Sequence, residues 1–282
     1  GTFTSTDIVI DINDTVKMLS NITVNPVTLF SIRSGGVLNP NSFVFTIIRG
    51  EFEVLAGGSV ANSGTFRTQG TITMDLKNGS AFNAPLNINS GITTVAEISS
   101  PYKARLYGPV TIDNGTSLKI GFSSSYSLEV YGNVTNNGSI TSIAGSELIF
   151  TSGAHTFQGT GFCVSPMVVL TGGILNVTSN HNLNSVNINA GGTMNISNQT
   201  IGFTLTNPII QNGTFTVTNS KVEYNGSALQ NISTTNIVYA GLRINNPAGA
   251  SFLGNVTVND TLSIIQGSVN LNGKTISLAS TG

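Results

Sequence analysis

Three versions of one phrase decide the fold: VVLTGGILNVTSN at 168–180, VNINAGGTMNISN at 186–198 and IIQNGTFTVTN at 209–219. Each runs as an apolar alternation, a Gly or Asn corner and a second alternation. Leu175 and Val177, Met194 and Ile196, and Phe215 and Val217 therefore stand at equivalent positions, in two steps of about 20 residues. A strand, turn, strand unit of this length cannot bury its apolar side alone, so neighbouring units must stack. The solenoid that short alternating strands build is the parallel β-helix. The expected fold is all-β, a right-handed parallel β-helix (β-solenoid) with coils of about 18–21 residues.

Composition agrees. Of 282 residues 39% are hydrophobic and 8% charged. Disorder needs high charge or few aliphatics, so this chain is expected to fold. Eleven basic and 12 acidic residues are spread thinly and leave a net charge of −1. Such a chain has no field to gather phosphates, and nucleic acid is not expected as a partner. Between Glu147 and Lys221 there is no Asp, Glu, Lys or Arg. The surface there must stay wet through Asn, Ser, Thr and backbone groups, or through something attached to them. Cys163 is the single cysteine, which excludes an intrachain disulfide. No apolar run approaches the length of a membrane-crossing helix, roughly 20 residues, so no membrane insertion is expected.

Along the chain, Pro26 and Pro40 interrupt residues 1–50, which read as irregular N-terminal coils or a cap. Residues 51–282 read as the solenoid proper, with Phe52, Val54, Phe66, Ile72 and Met74 in alternation, continuing into further repeats. Ile112, Val130 and Leu148 recur at equal intervals of about 18 residues and suggest one coil each. PYKARLYGP at 101–109 reads as a loop or irregular coil, and 151–168 as a corner-rich link.

Candidate chemistry is sparse. Glu51 and Glu53 lie two apart on one strand face, the spacing of an inverting carboxylate pair, but with no other catalytic group nearby they read as a solvated face. Asp7, Asp11, Asn13 and Asp14 are an oxygen-rich group whose spacing fits no calcium loop. His155, His181 and Cys163 read as packed or exposed side chains rather than a metal or thiol centre. Tyr102 and Tyr107, with Lys103 and Arg105, could stack on a sugar or base, though a surface loop is the plainer reading. Thr-x-Thr pairs such as Thr71/Thr73 are too sporadic for an ice-binding face. No catalytic residue, cofactor site or metal ligand is assigned. Asn-x-Ser/Thr occurs 14 times, and chance at this composition supplies more than half of them. Asn78, Asn114, Asn133, Asn176, Asn195, Asn212, Asn225 and Asn255 are the N-glycosylation candidates.

SKVEYNGSALQNIS from Ser220 and NIVYAGLRINNPAGASFLGNVTVNDTLSIIQGSVNLNGKTISL over 236–278 resemble the repeat phrasing of secreted cell-surface β-solenoid proteins of Bacteroidota. SELIFTSGAHTFQGTG at 146–161 repeats the opening of that unit. The resemblance covers the second half well and the first 100 residues poorly. It implies an adhesin-like, extracellular cell-surface protein exported by the type IX system. It also implies O-glycan attachment at Asp-Ser/Thr-aliphatic motifs, found here at Thr15 and Thr261. The expected function is a non-catalytic structural or adhesive rod in a surface fibre, filament or adhesin. Its expected partners are copies of itself, neighbouring repeats and surface glycans. The alternative is a carbohydrate-binding or carbohydrate-cleaving β-helix module.

Overall fold

The computed structural model describes residues 2–96, 103–122, 126–235 and 237–279. Their contacts form two compact units, Gly1–Ile149 and Phe150–Gly282. Each is a stack of coils with parallel strand pairing, and no helix occurs among the described residues, so the expected β-solenoid is the fold.

In the first unit a coil contributes three short strands to three faces. One face stacks Val44–Ile47, Thr65–Thr68, Leu86–Ile88 and Val110–Ile112. The second stacks Gly50–Val54, Ile72–Leu76, Ile92–Ala96 and Ser117–Ile120. The third stacks Val37–Asn39, Ser59–Val60, Ala81–Phe82, Lys103–Leu106 and Ser127–Val130. Two longer strands, Thr2–Ile10 and Ile22–Ile32, serve both of the first two faces. Residues 1–50 thus already carry all three ladders. Their irregularity is a register shift between Ser5 and Asp7, where Ser5 lies opposite Pro26, a residue with no N–H to give a ladder.

Inward positions alternate along strands such as Gly50–Val54 and Thr65–Thr68, where Phe52, Val54, Phe66 and Thr68 are buried. Phe30, Phe45, Phe52, Phe66 and Phe82 meet inside the first unit, with centroids 4.5 Å apart for Phe52 and Phe66 and 5.1 Å for Phe45 and Phe66. Each such ring, fully buried, is worth about 1.5–3 kcal/mol. Thr68 and Thr93, both buried, satisfy each other's hydroxyls at 2.7 Å.

The second unit bears out the phrase that announced it. Leu175 pairs with Met194 and Met194 with Phe215, while Val177, Ile196 and Val217 form the next row. The Gly-Gly corners divide the work between their two glycines. Gly172 and Gly191 take φ of 76°, which an L side chain resists. A Cβ on Gly173 would lie 2.4 Å from the Thr151 carbonyl oxygen, and one on Gly192 2.9 Å from that of Leu170.

Three sequence expectations need correction. The expected coil length holds along the face of Leu175, Met194 and Phe215, but in the first unit it is exceeded where Leu86 pairs with Val110 and Ile92 with Ser117. Corners absorb extra residues without disturbing a two-residue alternation. For the same reason the even spacing of Ile112, Val130 and Leu148 was no coil: Ile112 stacks on Ile88 and Val130 on Leu106. Finally, Lys103–Leu106, Gly153–Gln158 and Phe162–Cys163 are strands, not loop or link, because Ala104, Leu106, Phe157 and Cys163 turn inward and are buried.

Candidate functional site

The first unit brings three carboxylates to its second face. Glu51 lies opposite Thr73, and Glu53 opposite Asp75, a partner that only the coil register reveals. Glu53 accepts a hydrogen bond from Ser31 Oγ at 3.0 Å, and the buried Asp75 is paired with Lys77 at 2.6 Å. Burial, then Asp75 and Glu53 beside it, push the Glu51 carboxyl above its usual range. The three carboxylates thus lie along one sheet face, Asp75 ion-paired with Lys77, and do not oppose one another across a cleft.

On the third face Lys103 and Arg105 converge on Glu129, at 3.3 and 2.9 Å, while Arg105 Nη1 donates to Asn78 Oδ1 at 2.7 Å. Tyr107 stacks on Tyr131, centroids 4.6 Å apart. The basic residues of PYKARLYGP are therefore neutralised by a carboxylate one coil on, and Tyr107 covers one face with another tyrosine. Tyr102 lies outside the described residues.

A polar concavity belongs to the second unit, on the face that stacks Phe162–Cys163, His181–Leu183, Thr200–Phe203, Lys221–Tyr224 and the second part of Val238–Asn245. Its outward row reads Asn182, Gly202, Glu223, Arg243 in direct register. Along that row lies a groove of about 450 Å³ lined by Thr160, Phe162, Asn182, Thr200, Glu223 and Arg243. Phe162 is 52% exposed at one end. Glu223 is nearly buried and accepts from Asn245 Nδ2 at 2.8 Å. Arg243 Nε lies 3.7 Å from Glu223, too far for a hydrogen bond, and is buried with no acceptor among the described residues. Sequence reasoning missed this site. Glu223 and Arg243 lie a whole coil apart along the chain, and only the coil register places them side by side.

The other candidates are dispersed. His155 bonds the Thr151 carbonyl at 3.1 Å, and His181 bridges Gly161 O at 3.2 Å and Ser179 Oγ at 3.0 Å. Burial holds the His181 imidazole below its usual range and pushes the Cys163 thiol up to about 12. Asp11 accepts from Ile12 N–H and from Arg33, which together lower its carboxyl. Thr15 and Thr261 are exposed, as are Asn78, Asn114, Asn133, Asn212 and Asn255. Asn176, Asn195 and Asn225 are half-buried, and each commits its Nδ2 to an acceptor in the fold. No group of three His, Cys, Asp or Glu able to hold a metal occurs among the described residues.

Comparison with family models, curated proteins and solved structures finds no match to the chain.

Proposed function

We propose that this chain is a non-catalytic structural and adhesive module of an extracellular surface protein, a β-solenoid that spaces and presents a polar uncharged surface. The observation that carries the proposal is the way outer side chains are tied from coil to coil by neutral groups. Asn195 donates to Asn176 at 3.0 Å, Asn231 to Asn207 at 2.6 Å, Thr204 to Asn184 at 3.1 Å and Asn272 to Ser251 at 2.6 Å. Hydrogen bonds among amides and hydroxyls are not screened by salt as ion pairs are, so such a surface stays tied in any ionic medium. Location outside the cell, type IX export and O-glycans at Thr15 and Thr261 belong to the same proposal and rest on the repeat phrasing.

Contact with neighbouring repeats or with a second copy is also part of it. The inward rows run from buried Ile244 and Val258 to Ile264, 53% exposed, and Leu278, 63% exposed. Apolar positions in ladder register favour another coil above them.

Single-molecule pulling of the full chain in low and in molar salt, with adhesion of the displayed chain to host-matrix surfaces, tests this reading. Equal unfolding forces in both media and adhesion above an undisplayed control are expected. A force that falls steeply with salt, or turnover of a polysaccharide substrate, contradicts it.

A further inference from the structure

We infer that the groove of the second unit is a binding site for a neutral oligosaccharide. The inference rests on the adhesive, non-catalytic reading above and names the ligand class of its contact surface.

Gly202 lines the groove, and over it the Asn182 and Asn225 amides meet, Asn225 Nδ2 donating to Asn182 Oδ1 at 2.9 Å. Around it stand an amide, two hydroxyls, a carboxylate and a guanidinium, a set that both donates and accepts. Glu223 offers carboxylate oxygens, and the Arg243 side chain, 38% exposed, offers guanidinium donors beside it. Neighbouring hydroxyls on a sugar ring give one proton to a carboxylate and one lone pair to a guanidinium. A sugar carboxylate placed to reach Arg243 would also face Glu223, so the fitting ligand is uncharged.

Phe162, half exposed and lining the same groove, supplies an aromatic ring for the C–H side of a pyranose. It stands four coils from Arg243, roughly 19 Å at about 4.8 Å per coil. That span suits an oligosaccharide lying across the coils rather than a single ring. An extended peptide is disfavoured. The strands beneath the groove are already paired on both sides, leaving no sheet edge for main-chain addition, and the lining has no apolar pockets for alternate side chains.

The test is an array of neutral gluco-, manno- and galacto-oligosaccharides, with uronate oligomers and acidic peptides alongside, probed with the full chain. Hits are followed by saturation-transfer NMR and by analysis of the recovered sugar. Phe162→Ala and Glu223→Gln should each weaken binding about ten-fold or more, while Tyr107→Ala on the other unit leaves it unchanged. Equal thermal midpoints for the variants show that the fold is intact. Capture of uronates or peptides in preference to neutral sugars, no capture at all, or binding that survives both groove substitutions overturns the inference. Adhesion without sugar capture sinks this inference and leaves the adhesive reading standing. Cleavage of a bound sugar sinks the non-catalytic reading and leaves the binding site standing.

Discussion

Asn225 reaches over Gly202 to donate its Nδ2 hydrogen to Asn182 Oδ1 at 2.9 Å, a bond that spans an intervening coil. The bond exists because the coil between them carries no side chain at that point. A Cβ there would lie 2.1 Å from Asn182 Oδ1 and 2.6 Å from Asn225 Nδ2. Gly202→Ala should therefore break the bridge and force both amides to move. A loss of about 1–3 kcal/mol is expected, read as a lower midpoint in urea with an unchanged slope. A neutral or stabilising effect would mean that the bridge gives way without penalty.

Phe66 touches Phe45, Phe52 and Phe82 inside the first unit and is fully buried. Truncating it removes the ring that joins the others and leaves a cavity. Phe66→Ala should cost about 3–5 kcal/mol. Tyr107→Ala, on the outer surface, should cost far less. Denaturant titration of both variants checks the contrast, and similar losses would argue against the aromatic cluster as the centre of that unit's stability.

Burial holds the folded His181 imidazole below 6.5, opposed only in part by the Gly161 carbonyl. The folded chain then binds this proton less readily than the unfolded chain. Above 6.5 both forms are neutral and the full stability is present. As pH falls below 6.5 the unfolded chain protonates first, and stability drops until the pH passes the folded value. A His181→Gln variant lacks this contribution, so its melting temperature should fall less between neutral and mildly acidic pH. Carboxylates act alike in both proteins and cancel in the comparison. Parallel curves would contradict the prediction.

Cys163 is fully buried and its thiol is pushed up to about 12, so almost no thiolate forms at neutral pH. The native chain should resist alkylation by iodoacetamide and react at once in denaturant. Mass spectrometry of the intact chain reads both states. Rapid labelling of the native form would show that the solenoid opens locally at Phe162–Cys163.

How far the fold was legible follows from where its information lies. Leu175, Met194 and Phe215 announced their own stacking because a two-residue alternation survives any neighbour, and a repeated corner sets the step. PYKARLYGP misled because charge and proline suggested a loop, while the two residues that decide its state, Ala104 and Leu106, are inconspicuous. The even beat of Ile112, Val130 and Leu148 misled because any alternating strand offers several apparent periods, and only pairing chooses one. Glu51 and Glu53 were visible as neighbours in sequence, whereas their acidic companion Asp75 belongs to the next coil.

By itself the sequence determined the class of structure: alternation specifies strands, recurrent Gly and Asn corners specify coils, and scarce charge specifies a surface of amides and hydroxyls. Tertiary structure alone decided which side chains share a site. Asn182, Glu223 and Arg243 are brought onto one row by the lengths of the coils that separate them, and Gly202 between them leaves room for Asn225 to bond Asn182. The reason is geometric. In a solenoid, lateral neighbours are one coil apart in sequence, so a single corner residue more or fewer changes every juxtaposition on the face while leaving each strand's own pattern untouched.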